Sequence, residues 1–258
     1  MALNNYTLGR GKVYFSRYKN NTEDVEGFRY LGNTPEFSLT IESSDLDHFN
    51  SDAGIRELDE SVPLEVTRTG SLITDEISAE NVALFFFGST TALTQVAVAS
   101  SVEAFNGVRA GRVYMLGVTD LNPSGYMGID TAGFLVKKGL TTLVVTTDYI
   151  MDFENGLLSF VRSGAVLGGD DISVTYAVKG STRTRVISGS SPVIGALLYV
   201  TANPKGADSR WLMKKVKMSP NGDYALKGDD WQQIPLSLSI LKQETSEAIY
   251  RDGMPVYA

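Results

Sequence analysis

Apolar and polar residues alternate along several short segments of the chain, and this pattern predicts a protein built mainly of β-strands. The clearest alternations span residues 37–42, 62–69 and 234–241, where apolar side chains recur at every second position, in the second segment as far as Val66. A period of two is typical of a strand with one buried face. Segments rich in aromatic and β-branched residues predict further strands at 12–15, 28–32, 113–118, 143–149, 157–161, 172–178, 194–200 and 211–218.

A long polar segment, residues 43–61, separates two of these strands and is predicted to be a loop. It is longer than the usual hairpin connection of about two to five residues. Apolar side chains stand among its carboxylates, which is unusual for a purely solvated loop and predicts an arm that packs on another copy of the chain. The residues predicted to make this contact are Asp45, Leu46, Asp47, Phe49, Asp52, Ile55, Arg56 and Leu58.

Residues 78–88 form the best helical segment in the sequence. Ser78 is suited to cap its first turn, and Gly88 is predicted to end it. The helix carries three consecutive phenylalanines, which point in different directions, so one side can pack on a sheet while the others need a second cover. The predicted subunit-contact residues are Val82, Phe85, Phe86 and Phe87.

The spacing of strands and turns predicts two structural regions. Residues 1–105 and 188–258 are assigned to one discontinuous domain, and residues 106–187, with closely spaced strands and turns, to an inserted all-β subdomain displayed outward. No stretch reaches the ~18 consecutive apolar residues of a membrane span, so no membrane anchor is predicted.

Charge is distributed unevenly along the chain. The 258 residues carry 23 basic and 30 acidic side chains, which gives a net charge of −7. Residues 42–80 hold eleven of the acids, opposed only by Arg56 and Arg68. The single basic cluster, Lys214, Lys215 and Lys217, is predicted to be the partner of the acidic arm in head-to-tail assembly. Because binding to nucleic acid requires clustered basic residues, the acidic balance argues against it.

The motifs of enzymes, metal sites and cofactor sites are absent or incomplete. The chain has no cysteine and only one histidine, His48. Residues 9–12 lack the spacing of a phosphate-binding loop, and residues 45–52 lack the glycine of a calcium loop. Asp229 and Asp230 are adjacent, so on a strand they would point to opposite faces instead of forming a carboxylate pair. We therefore expect no catalysis, no metal and no cofactor.

The order of four segments resembles that of the major tail tube proteins of long, flexible-tailed bacteriophages. These segments are residues 11–15 with 32–39, which resemble the opening strands, the arm 43–61, the flanking helix 77–88, and residues 219–231, which resemble the closing strands. The resemblance covers residues 1 to about 90 and 190 to 245. It implies a β-sandwich or barrel of two sheets flanked by one helix, with subunits that form rings, commonly of six, which stack into a tube.

The same resemblance implies where the protein acts and with which partners. The chain would be made in the host cytoplasm and assembled into the virion tail. It would contact itself and the tape-measure, tail-tip and tail-terminator proteins. DNA would pass through the lumen without sequence-specific binding, because an acidic wall repels it.

The residues are also compatible with two other classes of function. A β-sandwich module that binds a carbohydrate or a receptor would use stacking aromatic residues, for which the candidates are Tyr114, Tyr126, Tyr149 and Tyr176. A hydrolase that uses a pair of carboxylates is the other alternative.

Overall fold

The structure is a computed structural model that describes residues 6–19, 22–52 and 54–255. These residues are mainly β with a single helix, which confirms the predicted class of fold. The chain divides into two compact units. We call Met1–Thr91 with Arg185–Ala258 the discontinuous unit, and Ala92–Thr184 the inserted unit.

Seventeen strands and one helix follow one another along the described residues. They are β1 (Gly11–Arg17), β2 (Arg29–Tyr30), β3 (Glu36–Asn50), β4 (Glu57–Thr74), α1 (Ala79–Phe85), β5 (Ser89–Gln95), β6 (Val98–Val108), β7 (Val113–Met115), β8 (Leu135–Lys138), β9 (Thr141–Thr142), β10 (Tyr149–Asp152), β11 (Leu157–Phe160), β12 (Asp170–Val178), β13 (Ser181–Ile187), β14 (Val193–Thr201), β15 (Ser209–Pro220), β16 (Ile234–Leu241) and β17 (Ile249–Gly253).

Eight strands of the discontinuous unit form one antiparallel sheet. Seven of them follow the order β2-β1-β14-β15-β16-β4-β3. The sheet branches at β15, since residues 209–213 pair with β17 while residues 215–220 pair with β16. The described residues form no closed barrel. The two-sheet sandwich or barrel of the tail tube type therefore stays a prediction.

The core of the discontinuous unit follows from the alternation seen in the sequence. In β16 the side chains of Ile234, Leu236, Leu238 and Ile240 are all buried, while the serines between them are half-buried. They pack with residues of β1, β14 and β15 and with Leu84 of α1. Full burial of one such side chain stabilises a fold by about 1.5–3 kcal/mol, so these strands hold the unit together.

Helix α1 begins as predicted and ends in a different way. The Ser78 hydroxyl accepts a hydrogen bond from the backbone N–H of Asn81 at 3.3 Å. At the other end Phe87, not Gly88, takes the left-handed conformation, with φ of 53°. The N–H groups of Phe87 and Gly88 bond to the carbonyls of Leu84 and Ala83, which closes the last turn. Gly88 is needed for another reason: a Cβ there would lie 2.1 Å from the carbonyl oxygen of Ile187.

The inserted unit has two small sheets around its own core. One has the strand order β6-β12-β8-β9 and the other β10-β11-β7. The unit starts before the predicted residue 106, because β6 pairs with β12 along most of its length. Buried side chains from both sheets, among them Val136, Leu158 and Val174, form the core.

Three local predictions are wrong. The strand predicted at 143–149 is mostly a turn, in which the Asp148 carboxylate accepts hydrogen bonds from the N–H groups of Val144 (2.8 Å) and Ala165 (2.9 Å). Residues 224–231, predicted to contribute closing strands, form a loop, and the last described strand is instead β17. The arm predicted as a loop is β-structure, as described below.

In the described part of the chain, no helix has the length and hydropathy to cross a bilayer.

Candidate functional site

Strands β3 and β4 form a hairpin that extends well beyond the rest of the sheet. The antiparallel pairing extends from Glu36, which lies opposite Ile73, to Asn50, which lies opposite Glu57. Strand β16 supports β4 only over residues 69–74. Outward from Ile41, every described residue of β3 is exposed. We call the two-stranded part, residues 41–68, the arm; its residue Ala53 lies outside the described residues.

The arm corrects the prediction of a loop at 43–61. Both sides of that segment are paired strand, and only residues 51–56 connect them. Two shifts of register, after Ser44 and after His48, break the alternation of side chains between the two faces. Such bulges put apolar residues three positions apart, as at Leu46 and Phe49, and so hide the period of two on which a strand prediction depends.

Apolar side chains along the arm are exposed to an unusual degree. The exposed fraction is 62% for Leu46, 40% for Phe49, 76% for Ile55 and 54% for Leu58. Leu46 lies opposite Val62, and Phe49 lies opposite Leu58, so the apolar groups meet across the ribbon. Large exposed apolar surface of this kind is typical of a contact site.

The carboxylates of the arm bond mainly to uncharged neighbours. Asp45 accepts a hydrogen bond from the Ser43 hydroxyl at 2.7 Å, and Asp47 accepts one from the Ser61 hydroxyl at the same distance. The His48 ring lies 2.5 Å from Asp59, which lies on the opposite strand at the register shift, next to Glu60, the residue paired with His48. Most of the negative charge of the arm is therefore exposed and free to act on a partner.

Two further residues of the predicted contact set lie near the end of the arm. The Arg56 guanidinium stacks over the Phe49 ring, with its central carbon 5.2 Å from the ring centre. Asp52 is exposed, and its backbone N–H donates to the Asn50 side chain at 2.9 Å. The eight predicted arm residues thus share one projecting element.

The four predicted helix residues divide between the core and the surface. Val82 and Phe85 pack against the core of the discontinuous unit, and the Phe85 ring lies 5.6 Å from that of Tyr224. Phe87 is half-buried, while Phe86 is 39% exposed. A subunit contact by this helix stays a prediction, with Phe86 as the most accessible of the four.

The lysines predicted to receive the arm all lie on β15, and they have neighbours of their own. Lys215 pairs with Glu23 at 2.5 Å, and the Lys214 ammonium lies 5.6 Å from the ring centre of Tyr250. Lys217 is half-buried, opposite Ser239 of β16. Within the described residues no ion pair joins these lysines to the arm of the same chain.

Two of the four tyrosines proposed for carbohydrate stacking are core residues. Tyr149 is 6% exposed and Tyr176 is 2% exposed. The Tyr176 hydroxyl donates to Glu103 at 2.8 Å, and burial raises its pKa. Neither ring can stack on a ligand, so that part of the prediction is wrong. Tyr114 and Tyr126 are half-buried and pack on the same core.

A groove that the sequence did not predict lies at the base of the arm. Two adjoining hollows of about 380 and 440 Å³ share Leu39 and Trp211. Phe37 and Tyr199 contribute aromatic surface, with their ring centres 5.4 Å apart. The strands on its two sides, β3 and β15, are not neighbours in the sheet, and this is why sequence order gives no sign of the groove.

The rim of the groove is basic. Arg251 stacks over Trp211, with its guanidinium carbon 5.3 Å from the ring centre, and Arg68 lines the second hollow. Neither arginine has a carboxylate within 4 Å among the described residues. The carboxylate that lines the groove, Glu247, is paired with Lys242 at 2.9 Å.

The described residues contain no cluster of three or more His, Asp or Glu side chains that could hold a metal ion. Asp229 and Asp230, weighed above as a carboxylate pair, lie in the exposed loop before β16. The most distinctive surface is the projecting acidic arm with its exposed apolar residues.

The fold and this surface define a mainly β protein of two units with a projecting hairpin. The chain belongs to the family described as Protein of unknown function UCP028589, whose family model matches residues 6–249. None of the curated proteins matches the chain.

Proposed function

We propose that this chain is a self-assembling structural subunit of a bacteriophage tail, which forms stacked rings that make up the tail tube. The observation that carries the proposal is the arm, a two-stranded ribbon that projects from the sheet with its apolar side chains uncovered. An isolated hairpin is marginally stable in water, so a long exposed ribbon gains stability when a partner covers it. A second copy of the chain supplies such a partner in every ring of a repeating assembly.

The ends of the large sheet support the same proposal. Strands β2 and β3 are the terminal strands of the eight-stranded sheet. Unpaired edge strands are a liability in a soluble monomer, and pairing with neighbouring subunits removes it. In a ring, the edges of adjacent copies would join into a continuous barrel around a lumen. The inserted unit would then be displayed on the outside of the tube.

Charge supports a role as a conduit. The net charge of −7 and the concentration of acids in residues 42–80 favour a wall to which DNA does not bind. In this role the protein acts in the virion without catalysis and without a cofactor. Its other partners are the tape-measure, tail-tip and tail-terminator proteins.

Electron microscopy of the purified protein over a concentration series, with the mass measured by light scattering, tests the proposal. We expect hollow rings or tubes whose number rises with concentration. The matched control keeps residues 36–44 and 65–74 and joins them by an Asn-Gly turn, which suits a two-residue hairpin. This variant keeps the core and loses the arm, so it should remain monomeric. A wild-type chain that stays monomeric at every concentration, or a control that assembles equally well, contradicts the proposal.

A further inference from the structure

We propose that the groove at the base of the arm is the docking site for the arm tip of a second copy of the chain. This inference rests on the proposed self-assembly and names the surface that receives the arm. The donor is the tip, residues 47–60, with its exposed Phe49, Ile55 and Leu58. The acceptor is the groove lined by Leu39, Ile41, Arg68, Trp211 and Arg251.

Charge complementarity favours this pairing over the alternatives. The tip carries five carboxylates against one arginine, Arg56. The groove offers Arg68 and Arg251, and neither has a carboxylate within 4 Å among the described residues. Arg68 acts on Glu247 only from a greater distance, where its charge helps to lower the pKa of that carboxyl. The groove's one carboxylate, that of Glu247, is already neutralised by Lys242. Among the lysines of β15, Lys215 is held by Glu23, and the Lys214 ammonium lies over the Tyr250 ring.

The arm tip and the groove also match in their apolar surfaces. The tip exposes an aromatic and two aliphatic side chains, and the groove exposes parts of Leu39, Ile41 and Trp211. Docking would remove both apolar surfaces from water at once, while the acids of the tip meet the arginines of the rim. Apolar contact supplies the affinity, and the paired charges set the orientation.

The arm tip cannot reach the groove of the same chain. Asn50 is nine positions beyond Ile41 along β3, and a strand rises by about 3.3 Å per residue, which places the tip about 30 Å from the groove. The two surfaces are therefore different patches of one molecule. Contact between them is head-to-tail and repeats from copy to copy, as a tube requires.

Disulfide trapping tests the inference, since the natural chain has no cysteine. Full-length L58C carries a thiol at the tip, and a second, tagged full-length variant, I41C, carries one in the groove. The matched control T40C places the thiol one residue away, where alternation points it to the opposite face of β3. A third partner, K217C, tests the lysine strand as the acceptor.

We expect the L58C–I41C heterodimer to form roughly ten times faster, or more, than L58C–T40C, because docking brings the two thiols to an effective concentration near millimolar. Reversing the rim with R68E and R251E should reduce the rate to that of the control. Adding E57K and E60K to the arm chain should restore it. Equal rates for I41C and T40C, or a faster reaction with K217C, would overturn the inference.

The result of this experiment is independent of the result of the test of the proposed function. Trapping detects a transient contact between two chains and does not need rings or tubes. Tubes without the L58C–I41C product would leave the proposed function intact and remove the groove as the acceptor. The trapped pair without any ring or tube would establish the contact and contradict the tube.

Discussion

Removing the apolar side chains of the arm should abolish self-association while leaving the folded monomer intact. The informative variant is the triple substitution L46S/I55S/L58S. These side chains are 62%, 76% and 54% exposed, so between half and three quarters of their surface is still available for burial in a contact. Full burial of a Leu or Ile is worth about 1.5–3 kcal/mol, so each contributes about 1–2 kcal/mol to a contact.

The three substitutions together should cost about 3–6 kcal/mol per contact. Because about 1.4 kcal/mol corresponds to a factor of ten, the critical concentration for assembly should rise roughly a hundredfold to ten-thousandfold. The fold should tolerate the change, since exposed substitutions alter stability by about 0.5 kcal/mol each and the loss of the Leu46–Val62 cross-strand contact adds about as much again.

Light scattering gives the critical concentration, and urea denaturation of the monomer gives the free energy of unfolding. L238A is the contrasting control, because Leu238 is 1% exposed and its truncation should destabilise the fold by about 2–5 kcal/mol. The reasoning is refuted if the triple variant assembles at the wild-type concentration. It is refuted equally if that variant loses as much stability as L238A.

The remaining predictions concern charge, pH and local opening. Replacing Asp45, Asp47 and Asp52 by Lys should leave the monomer folded, since exposed charges contribute about 0–1 kcal/mol to the free energy of unfolding. The same change should disrupt ring stacking in electron micrographs. Normal tubes from this variant would contradict the role assigned to the arm. The N–H groups of Val144 and Ala165 lower the pKa of Asp148. Its charge therefore stabilises the fold above the unfolded carboxyl pKa of about 3.9 and loses this effect as pH falls through the lower folded value. D148N should accordingly lower Tm at pH 7, and the difference from wild type should shrink below about pH 4; a constant difference would contradict this cause. In amide exchange, residues 69–74, which pair on both sides, should be protected more than residues 41–50, which pair on one; equal protection in the monomer would contradict this arrangement.

The parts of the fold that the sequence predicted well are those in which one local rule operates without interruption. Strand β16 alternates cleanly, and each of its apolar residues is buried. Helix α1 has a cap at Ser78 and a short apolar run, and its start is where the sequence placed it. In both elements local preference and tertiary burial act in the same direction, and this is when sequence patterns are most informative.

The errors have specific physical causes. The segment 143–149 is predicted to be a strand because it is rich in β-branched and aromatic residues. In the structure Asp148 bonds to the backbone, and Thr146 takes a positive φ of 68°. A side chain that competes for backbone hydrogen bonds can override β propensity. The sequence places the start of the inserted unit too late, because β6 owes its place to long-range pairing with β12.

The arm was the most consequential error, because its position was predicted and its structure was not. Bulges removed the alternation, and the density of carboxylates resembled a solvated loop. The groove could not be predicted at all, since Leu39 and Trp211 are far apart in sequence and belong to strands that do not pair. Contacts that depend on how a sheet curves are absent from any local pattern.

The exposed apolar residues of the arm favour non-specific aggregation, and the acidic residues of the arm counteract it. Like charges on two tips repel each other, so tip-to-tip association is disfavoured even though apolar contact alone would allow it. The same acids are attracted to a rim that carries Arg68 and Arg251. Apolar burial then supplies most of the affinity, while charge selects the correct partner surface. Salt screens exposed charges over a Debye length of about 8 Å at 0.15 M ionic strength and does not weaken apolar burial in the same way. High ionic strength should therefore reduce the preference for the groove before it reduces association as a whole.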